Sequence, residues 1–293
     1  MTNARELTVA LRGEWHGSYG MAPCPICQPE RRKDQRGLSL SNGMCGILLV
    51  RCFKGGCNFR DIAVAAGIYP GSYSAPDPSL IAKRLAEENA KTEKRARQAL
   101  RLWQEAQPIK GTLAETYLRG RGITCPLPDT LRFAPSCWHA SAQHLPALVA
   151  MVEGSDAFAV HRTYLREDGS GKAKVNPPKA MLGRVGGGAV RLSEGDRKLV
   201  VAEGIETALS LASGLLRTPV TIWAALSTSG LRGLDLPEKP VRMTIASDGD
   251  KAGLEAANAL AERATALGWQ VSLLSAPDGR DWNDVLIANG VSV

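Results

Sequence analysis

Short apolar runs alternate with amphipathic stretches in the C-terminal third of the chain. Four runs have the length of buried strands, and they lie near residues 199–202, 221–225, 241–246 and 270–274. Three stretches have apolar residues at helical spacing, and they lie near 205–213, 252–267 and 281–289. Strands that alternate with helices predict an α/β unit whose parallel strands share one carboxyl edge.

The preceding part of the chain has a different pattern, which makes the whole protein α+β. A hairpin is predicted for residues 38–50 around Asn42-Gly43, and a Pro-, Gly- and Ser-rich linker for 69–79. A long helix with mixed charges and a thin apolar stripe follows from Leu80 to Gln107, where Pro108 ends it. A shorter helix then ends at a glycine, and two adjacent strands are predicted over 146–152 and 157–165.

Acidic residues follow three of the C-terminal strands. Glu203 follows the first of these strands, Asp248 and Asp250 flank Gly249 after the third, and Asp281 and Asp284 follow the fourth. Parallel strands would bring these carboxylates to one edge, where crowded like charges favour a bound divalent cation such as Mg²⁺. The alternative for Asp248 and Asp250 is a helix N-cap with a first-turn acid.

Two cysteine pairs flank the predicted N-terminal hairpin. Cys24 and Cys27 precede it, and Cys52 and Cys57 follow it. Four thiolates in this layout suit a closed, structural Zn²⁺ site, and the segment has too few large apolar residues for a core of its own. The alternative is four unrelated buried cysteines. Cys45 lies near the hairpin tip and is left over, while His16 is a second-choice ligand.

Composition narrows the classes of protein further. The 293 residues carry 36 Lys+Arg and 29 Asp+Glu, a formal net charge of +7 that suits nucleic-acid or nucleotide partners. No run of about 18 apolar residues is present, so no membrane partner is expected. The N-terminus has no secretion signal, and the seven cysteines are then expected to be reduced or metal-bound, as in a cytoplasmic protein.

The acidic motifs resemble the Toprim domain of bacterial and phage-type primases. The motifs are Glu203-Gly204, Asp248 to Gly253, and Gly279 to Asp281 followed by Asp284. The resemblance implies that Glu203, Asp248 and Asp250 hold catalytic Mg²⁺ or Mn²⁺, with Asp281 and Asp284 as candidates for a second metal position. Members of that family often carry an acid four positions after the glutamate. Thr207 stands there in this chain, so the role of the preceding Glu206 is open.

Two further segments resemble parts of the same primases. The stretch from Trp15 to Ile62 is similar to their zinc domains, which contact the template. Residues 114–123 are similar to the helix that opens their catalytic core, and a basic run follows, where the family binds template and triphosphate. The candidates for binding nucleotide or template are Arg162, Lys172, Lys174, Lys179 and Lys251. Ordinary surface lysines are the alternative for the basic run.

The order of these parts resembles a primase of the mobile-element type. We expect a zinc ribbon over 1–70, a linker and long helix over 71–109, the basic part of the core over 110–195, and the Toprim domain over 196–293. The resemblance implies synthesis of short RNA or mixed primers on single-stranded DNA from nucleoside triphosphates. Because the chain ends just after the Toprim part, any helicase is expected to be a separate protein. A Toprim nuclease and a non-catalytic zinc-dependent single-strand binder are the alternatives.

Overall fold

The structure is a computed structural model that describes residues 3–30, 32, 34–43, 47–68, 78–195, 198–216 and 220–290. Cys45 and most of the predicted linker lie outside the described residues. Two compact units are formed, by residues 1–90 and 91–293. No helix in the described part of the chain is long and apolar enough to cross a bilayer.

The first unit is a four-stranded antiparallel sheet with two short helices. In chain order the elements are α1 (Ala4–Ala10), β1 (Glu14–Trp15), β2 (Tyr19–Ala22), β3 (Leu38–Asn42), β4 (Leu48–Cys52) and α2 (Phe59–Ala65). The strands pair in the order β1-β2-β3-β4, and β3 and β4 confirm the predicted hairpin. A small core of mostly aliphatic side chains, including Leu7, Leu38, Leu40 and Ile62, packs beside Cys24 and Cys52.

A long helix, α3 (Pro78–Glu105), begins in the first unit and ends in the second. It confirms the predicted long helix, but it ends at Glu105, and Gln107 and Pro108 form a short strand instead of the predicted helix end. Its last turns are apolar on one side, where Ala99 and Trp103 are buried against the following sheet. The Arg132 guanidinium lies 4.4 Å from the centre of the Trp103 ring and donates a hydrogen bond to the backbone carbonyl oxygen of Trp103. These two contacts fix the end of the helix.

An antiparallel sheet opens the second unit. Its elements are β5 (Gln107–Pro108), α4 (Leu113–Gly120), β6 (Leu131–His139), β7 (Gln143–Val152), β8 (Ala159–Tyr164) and β9 (Lys179–Leu182), and the strands pair in chain order. The central strands β7 and β8 are buried on both faces. One face of each strand packs against α3, and the opposite face packs against the rest of the unit. The sequence pattern predicted β7 and β8 but not β9.

A mixed, mainly parallel sheet completes the second unit, with strand order β10-β12-β11-β13-β14. Its elements are β10 (Val190–Ser193), β11 (Lys198–Ala202), α5 (Ile205–Ser210), a π-helical turn (Leu211–Leu215), β12 (Thr221–Ala224), α6 (Thr228–Gly233), β13 (Arg242–Ser247), α7 (Lys251–Ala266), β14 (Gln270–Ser275) and α8 (Trp282–Ala288). Strands β11 to β14 are parallel and confirm the predicted alternation, whereas β10 pairs antiparallel at the edge. The short helix α6 was not predicted.

Candidate functional site

The parallel register brings the predicted acids to one edge of the sheet, here called the acid edge (Glu203, Asp248, Asp250 and Asp281). Ala202 at the end of β11 lies opposite Ala246 of β13, and Ser247 lies opposite Ser275 of β14. Each strand therefore delivers its next residues to the same side of the unit. The carboxyl end of a parallel sheet is where open α/β folds bind ligands.

Gly249 joins two of these strand ends through its backbone. Its N–H donates to the carbonyl of Arg280 at 2.8 Å, and its own carbonyl accepts from Gly279 N–H at 2.8 Å. A Cβ at position 249 would lie 2.0 Å from the carbonyl oxygen of Pro277. Glycine is thus required at this position for the close approach of two loops. This contact holds Asp248 and Asp250 beside the loop that carries Asp281.

Burial raises the pKa of Glu203 to about 6, and the charges of Asp248 and Asp250 raise it in the same direction. Burial also raises the pKa of Asp248, as do the charges of Asp281 and Asp250, while a hydrogen bond from Thr207 opposes the shift. Acids that destabilise one another in this way bind a divalent cation favourably, because the cation removes the repulsion. The donor set consists of oxygens alone, which fits Mg²⁺ or Mn²⁺.

Two of the predicted ligands also cap helices. Asp250 accepts a hydrogen bond from Gly253 N–H at 2.7 Å at the start of α7, so the N-cap of the alternative interpretation is present, whereas the first turn of α7 carries no acid. Asp281 accepts from Asp284 N–H at 2.8 Å, and Asp284 accepts from Asp281 N–H at 3.2 Å, so the pair forms a capping box on α8. Capping engages one carboxylate oxygen of each residue, which is Oδ1 in Asp250 and Asp281 and Oδ2 in Asp284.

Glu206 is the acid whose role the sequence left open, and it binds cations of the chain itself. Its buried carboxylate contacts Lys172 Nζ at 3.0 Å and Lys179 Nζ at 2.8 Å. Tyr117 donates a hydrogen bond to it at 2.9 Å. Burial disfavours the charge, but the two lysines outweigh that effect and lower the pKa of Glu206. Thr207, which stands where an acid was expected, donates to Asp248 at 3.1 Å.

The five basic candidates are distributed unequally. Lys172 and Lys179 meet at Glu206, and the charge of Lys179 opposes the pKa shifts of both Glu203 and Asp248. Lys251 is exposed on α7, next to the capping residue Asp250, and Lys174 is exposed in a separate open groove.

Arg162 does not join this group. Its guanidinium donates to the carbonyls of Trp138 and Met181 and lies over the Tyr164 ring, on the face of β8 opposite to His161. Its predicted role in binding nucleotide gains no support from this placement.

The first unit holds a second candidate site, the cysteine centre (Cys24, Cys27, Cys52 and Cys57). The four Sγ atoms lie within 4.8 Å of one another, and those of Cys27 and Cys52 are 3.6 Å apart. A tetrahedral Zn²⁺ with bonds of about 2.3 Å needs sulfur atoms roughly 3.8 Å apart, so the donor set fits zinc. His16 instead stacks near Tyr19, with the ring centres 5.3 Å apart.

The ionisation of these thiols also suits a metal. Burial and the neighbouring thiols raise the pKa of Cys27 to about 12. Burial acts in the same direction on Cys52, but backbone N–H donors led by that of Gly55 outweigh it and lower the pKa of Cys52 to about 6. Crowded thiols cannot all ionise without a cation among them, and bound Zn²⁺ stabilises all four thiolates.

Comparison with known protein families identifies the part of the chain that carries the acid edge. Residues 198–292 match the model of the Toprim domain. This part of the chain is a Toprim domain. Residues 93–192, which contribute Tyr117, Lys172 and Lys179, match a domain of unknown function (DUF7146). No curated protein is significantly similar to the chain.

Several solved structures resemble the fold at low identity. The zinc-binding and RNA polymerase domains of Aquifex aeolicus primase are 17% identical, with 99% of this chain and 83% of that chain covered and a TM-score of 0.45. The primase fragment of the bacteriophage T7 primase-helicase protein is 14% identical, with coverages of 95% and 96% and a TM-score of 0.39. The RNA polymerase domain of Mycobacterium tuberculosis primase DnaG, solved with double-stranded DNA, is 17% identical, with coverages of 65% and 74% and a TM-score of 0.37.

Sequence reasoning missed two residues that contact the Toprim site. Tyr117 donates to Glu206 from helix α4, and Arg121 Nη2 lies 3.9 Å from Asp281 Oδ2. Both lie in the segment 114–123, whose resemblance to a primase core element was noted. Because they are more than 80 residues from their partners in the chain, spacing could not have identified the contacts.

Proposed function

We propose that this protein is a DNA primase, which synthesises short RNA or mixed primers on single-stranded DNA from nucleoside triphosphates. The observation that carries the proposal is a pair of lysines bound to Glu206, whose neighbour Thr207 donates to Asp248 at the acid edge of a Toprim domain. The carboxylates suit divalent cations, and the lysines suit the phosphates of a nucleotide. A nuclease would need the acids but would have less use for a cationic pair that can hold a triphosphate.

The acid edge would hold Mg²⁺ or Mn²⁺ through Glu203, Asp248 and Asp250, with Asp281 as the candidate for a second position. The chemistry supplied by ions held there would be Lewis acidity toward the attacking 3′-hydroxyl and the leaving pyrophosphate. One carboxylate oxygen of Asp250 caps the N-terminus of α7, and the other oxygen would bind the metal ion. Asp284 is the weakest of the proposed ligands, because it is exposed and, unlike Asp281, is not among the charges that raise the pKa of Asp248.

The chain's own cations would orient the substrates. Lys172 and Lys179 would bind phosphate oxygens of the nucleotide, and exposed Lys251 and Lys174 would contact phosphates of the template. The cysteine centre would hold a structural Zn²⁺ that fixes the first unit. In that unit, the exposed Arg51 lies over the Phe53 ring, 5.1 Å from its centre, which offers a cation and an aromatic face to a single strand.

One assay separates the proposal from its rivals. The full chain is incubated with single-stranded DNA, labelled nucleoside triphosphates and Mg²⁺ or Mn²⁺. New short products that depend on template and nucleotides are expected. Shortened template without new products would instead identify a nuclease, and DNA binding without either product would identify a non-catalytic binder.

A further inference from the structure

Glu206 is buried and surrounded by partners from the chain itself, which a metal ligand would not need. Only 7% of its side chain is exposed. Its carboxylate accepts hydrogen bonds from Tyr117 and Lys179 and forms an ion pair with Lys172 at 3.0 Å. Oε1 is shared by Tyr117 and Lys172, and Oε2 is bound by Lys179. A buried carboxylate persists as an ion only when it is paired in this way. Both oxygens are therefore committed to the chain itself.

The lysines, by contrast, are not used up by this contact. Their side chains are 33% and 35% exposed for Lys172 and Lys179, respectively. Each ammonium has three donors, of which the carboxylate engages one. The remaining donors can bind phosphate oxygens. Lys172 lies in the loop after β8 and Lys179 at the start of β9, so two separate chain segments converge on one acid.

The charges around Glu206 leave a net positive site. One carboxylate and two ammonium groups sum to +1, and burial lowers the pKa of the adjacent His161 to about 4, so that its imidazole adds no charge. Without Glu206, the two ammonium groups would repel each other and separate. With it, they are held together and still attract an anion. Thr207, the next residue after Glu206, donates to Asp248 at 3.1 Å. The charge of Lys179 acts on both Glu203 and Asp248, so Lys179 lies within electrostatic range of the acid edge.

We propose that Glu206 is a positioning residue that holds Lys172 and Lys179 together as a paired ligand for the triphosphate of the incoming nucleotide. Glu206 itself binds neither metal nor substrate. This inference rests on the proposed function for the identity of the nucleotide, but the binding of a triphosphate can be measured without primer synthesis.

The test compares two variants at the same carboxylate. Glu206→Gln removes the charge and keeps the size of the side chain, whereas Tyr117→Phe removes one hydrogen bond and keeps the charge. ATP binding is measured by calorimetry with Mn²⁺ present, and Mn²⁺ binding alone is measured by electron paramagnetic resonance. We expect Glu206→Gln to weaken ATP binding about tenfold or more, with Mn²⁺ affinity within about twofold of wild type. Tyr117→Phe is expected to leave both affinities near wild type.

The other outcomes separate a failure of this inference from a failure of the proposed function. Loss of Mn²⁺ binding in Glu206→Gln, as expected for a Glu203→Gln control, would make Glu206 a metal ligand. Equal losses of thermal stability in both variants, with unchanged ATP binding, would make it a structural link only. If Glu206→Gln weakens ATP binding as expected but the wild-type protein makes no primer, the proposed function is wrong and the inference about Glu206 stands. If the wild-type protein makes primers but Glu206→Gln has the wild-type ATP affinity and KM, the inference about Glu206 is wrong and the proposed function stands.

A measurement on the wild-type protein covers a failure of Glu206→Gln to fold. Amine-reactive acetylation followed by mass spectrometry reports the reactivity of each lysine with and without ATP and Mn²⁺. Protection of both Lys172 and Lys179 by ATP, with exposed Lys94 of α3 as a reference, is expected for a paired ligand. Acetylation of the two lysines at the same rate with and without ATP would contradict it.

Discussion

The cysteine centre and the acid edge are both suited to metal ions, but they gather their ligands differently. The cysteines come from two short loops at either end of one hairpin, and their sulfur atoms lie within 4.8 Å of one another. The acids come from three separate strand ends that the sheet register aligns. Within the described ranges, no group of carboxylates is gathered as tightly as the cysteines.

This difference shows what stabilises each site. A small unit with a modest core depends on its metal, so the cysteine centre and the fold of residues 3–68 are expected to form together. The acid edge is built on strands with an extensive core of their own, and the sheet holds the carboxylates in place despite their repulsion. Metal is then expected to be required for activity there, and not for folding.

The largest expected effect is loss of the first unit's fold when zinc is removed. Cys52→Ser is expected to release the metal, because structural zinc contributes about 10–16 kcal/mol in small zinc domains. Hydrogen exchange should then show lost protection over residues 3–68 and retained protection over 98–290. His16→Ala serves as the control and should retain one zinc per chain. Full zinc content in Cys52→Ser would show that the ligand set is wrong.

The next largest effect is expected at the acid edge. Asp248→Asn together with Asp250→Asn should lower primer synthesis by a factor of about 1,000 or more, since two charged metal ligands are lost. Asparagine is also a good N-cap, so α7 should keep its terminus and the melting temperature should change little. DNA binding, measured by fluorescence anisotropy, should remain near wild type. Primer synthesis at the wild-type rate would remove these residues from the catalytic site.

A smaller effect concerns stability and has an unusual sign. Because the folded protein raises the pKa of Glu203 to about 6, its ionisation above that pH destabilises the fold. The contribution of Glu203 to the stability of the fold is fully present below the usual pKa of glutamate, where its carboxyl group is neutral. It is lost as the pH rises through about 6 and the group ionises. At pH 8 without divalent metal, the free energy of unfolding of Glu203→Gln should therefore exceed that of wild type by about 1 kcal/mol. Thermal unfolding should show this as a higher melting temperature.

The control for this prediction is Glu262→Gln, which changes an exposed acid on α7. Its stability should match wild type at both pH 5 and pH 8. Added Mn²⁺ should remove the advantage of Glu203→Gln, because the ion stabilises only the wild-type site. A variant that is less stable than wild type at pH 8 would contradict the repulsion inferred at the acid edge.

The smallest expected effect separates two neighbouring acids. Asp284→Ala removes half of the α8 capping box and should lower the free energy of unfolding by about 1 kcal/mol, with primer synthesis nearly unchanged. Asp281→Asn keeps a capping side chain but removes a charge that acts on Asp248, so it should lower synthesis while leaving stability near wild type. Chemical denaturation and the priming assay measure the two effects. The opposite result would assign the metal to Asp284.

Local pattern was sufficient for much of this molecule. The spacing of the cysteine pairs around a turn sequence predicted the cysteine centre, because a hairpin brings its two ends together whatever the rest of the chain does. Apolar runs alternating with helical stretches predicted the parallel strands β11 to β14. Parallel strands end at one edge, so the placement of Glu203, Asp248 and Asp281 followed from their positions after those strands.

Only the tertiary structure decided which side chains meet across the fold. Strand β8 is buried on both faces, so no polar alternation could show that Arg162 faces away from the acid edge. Nor could spacing show that Glu206 binds Tyr117, Lys172 and Lys179, which come from α4, a loop and β9. The sequence determined where the acids and cysteines lie because turns and strand ends are local. The pairing of charges required the packed fold, because such contacts depend on distance in space and not on separation along the chain.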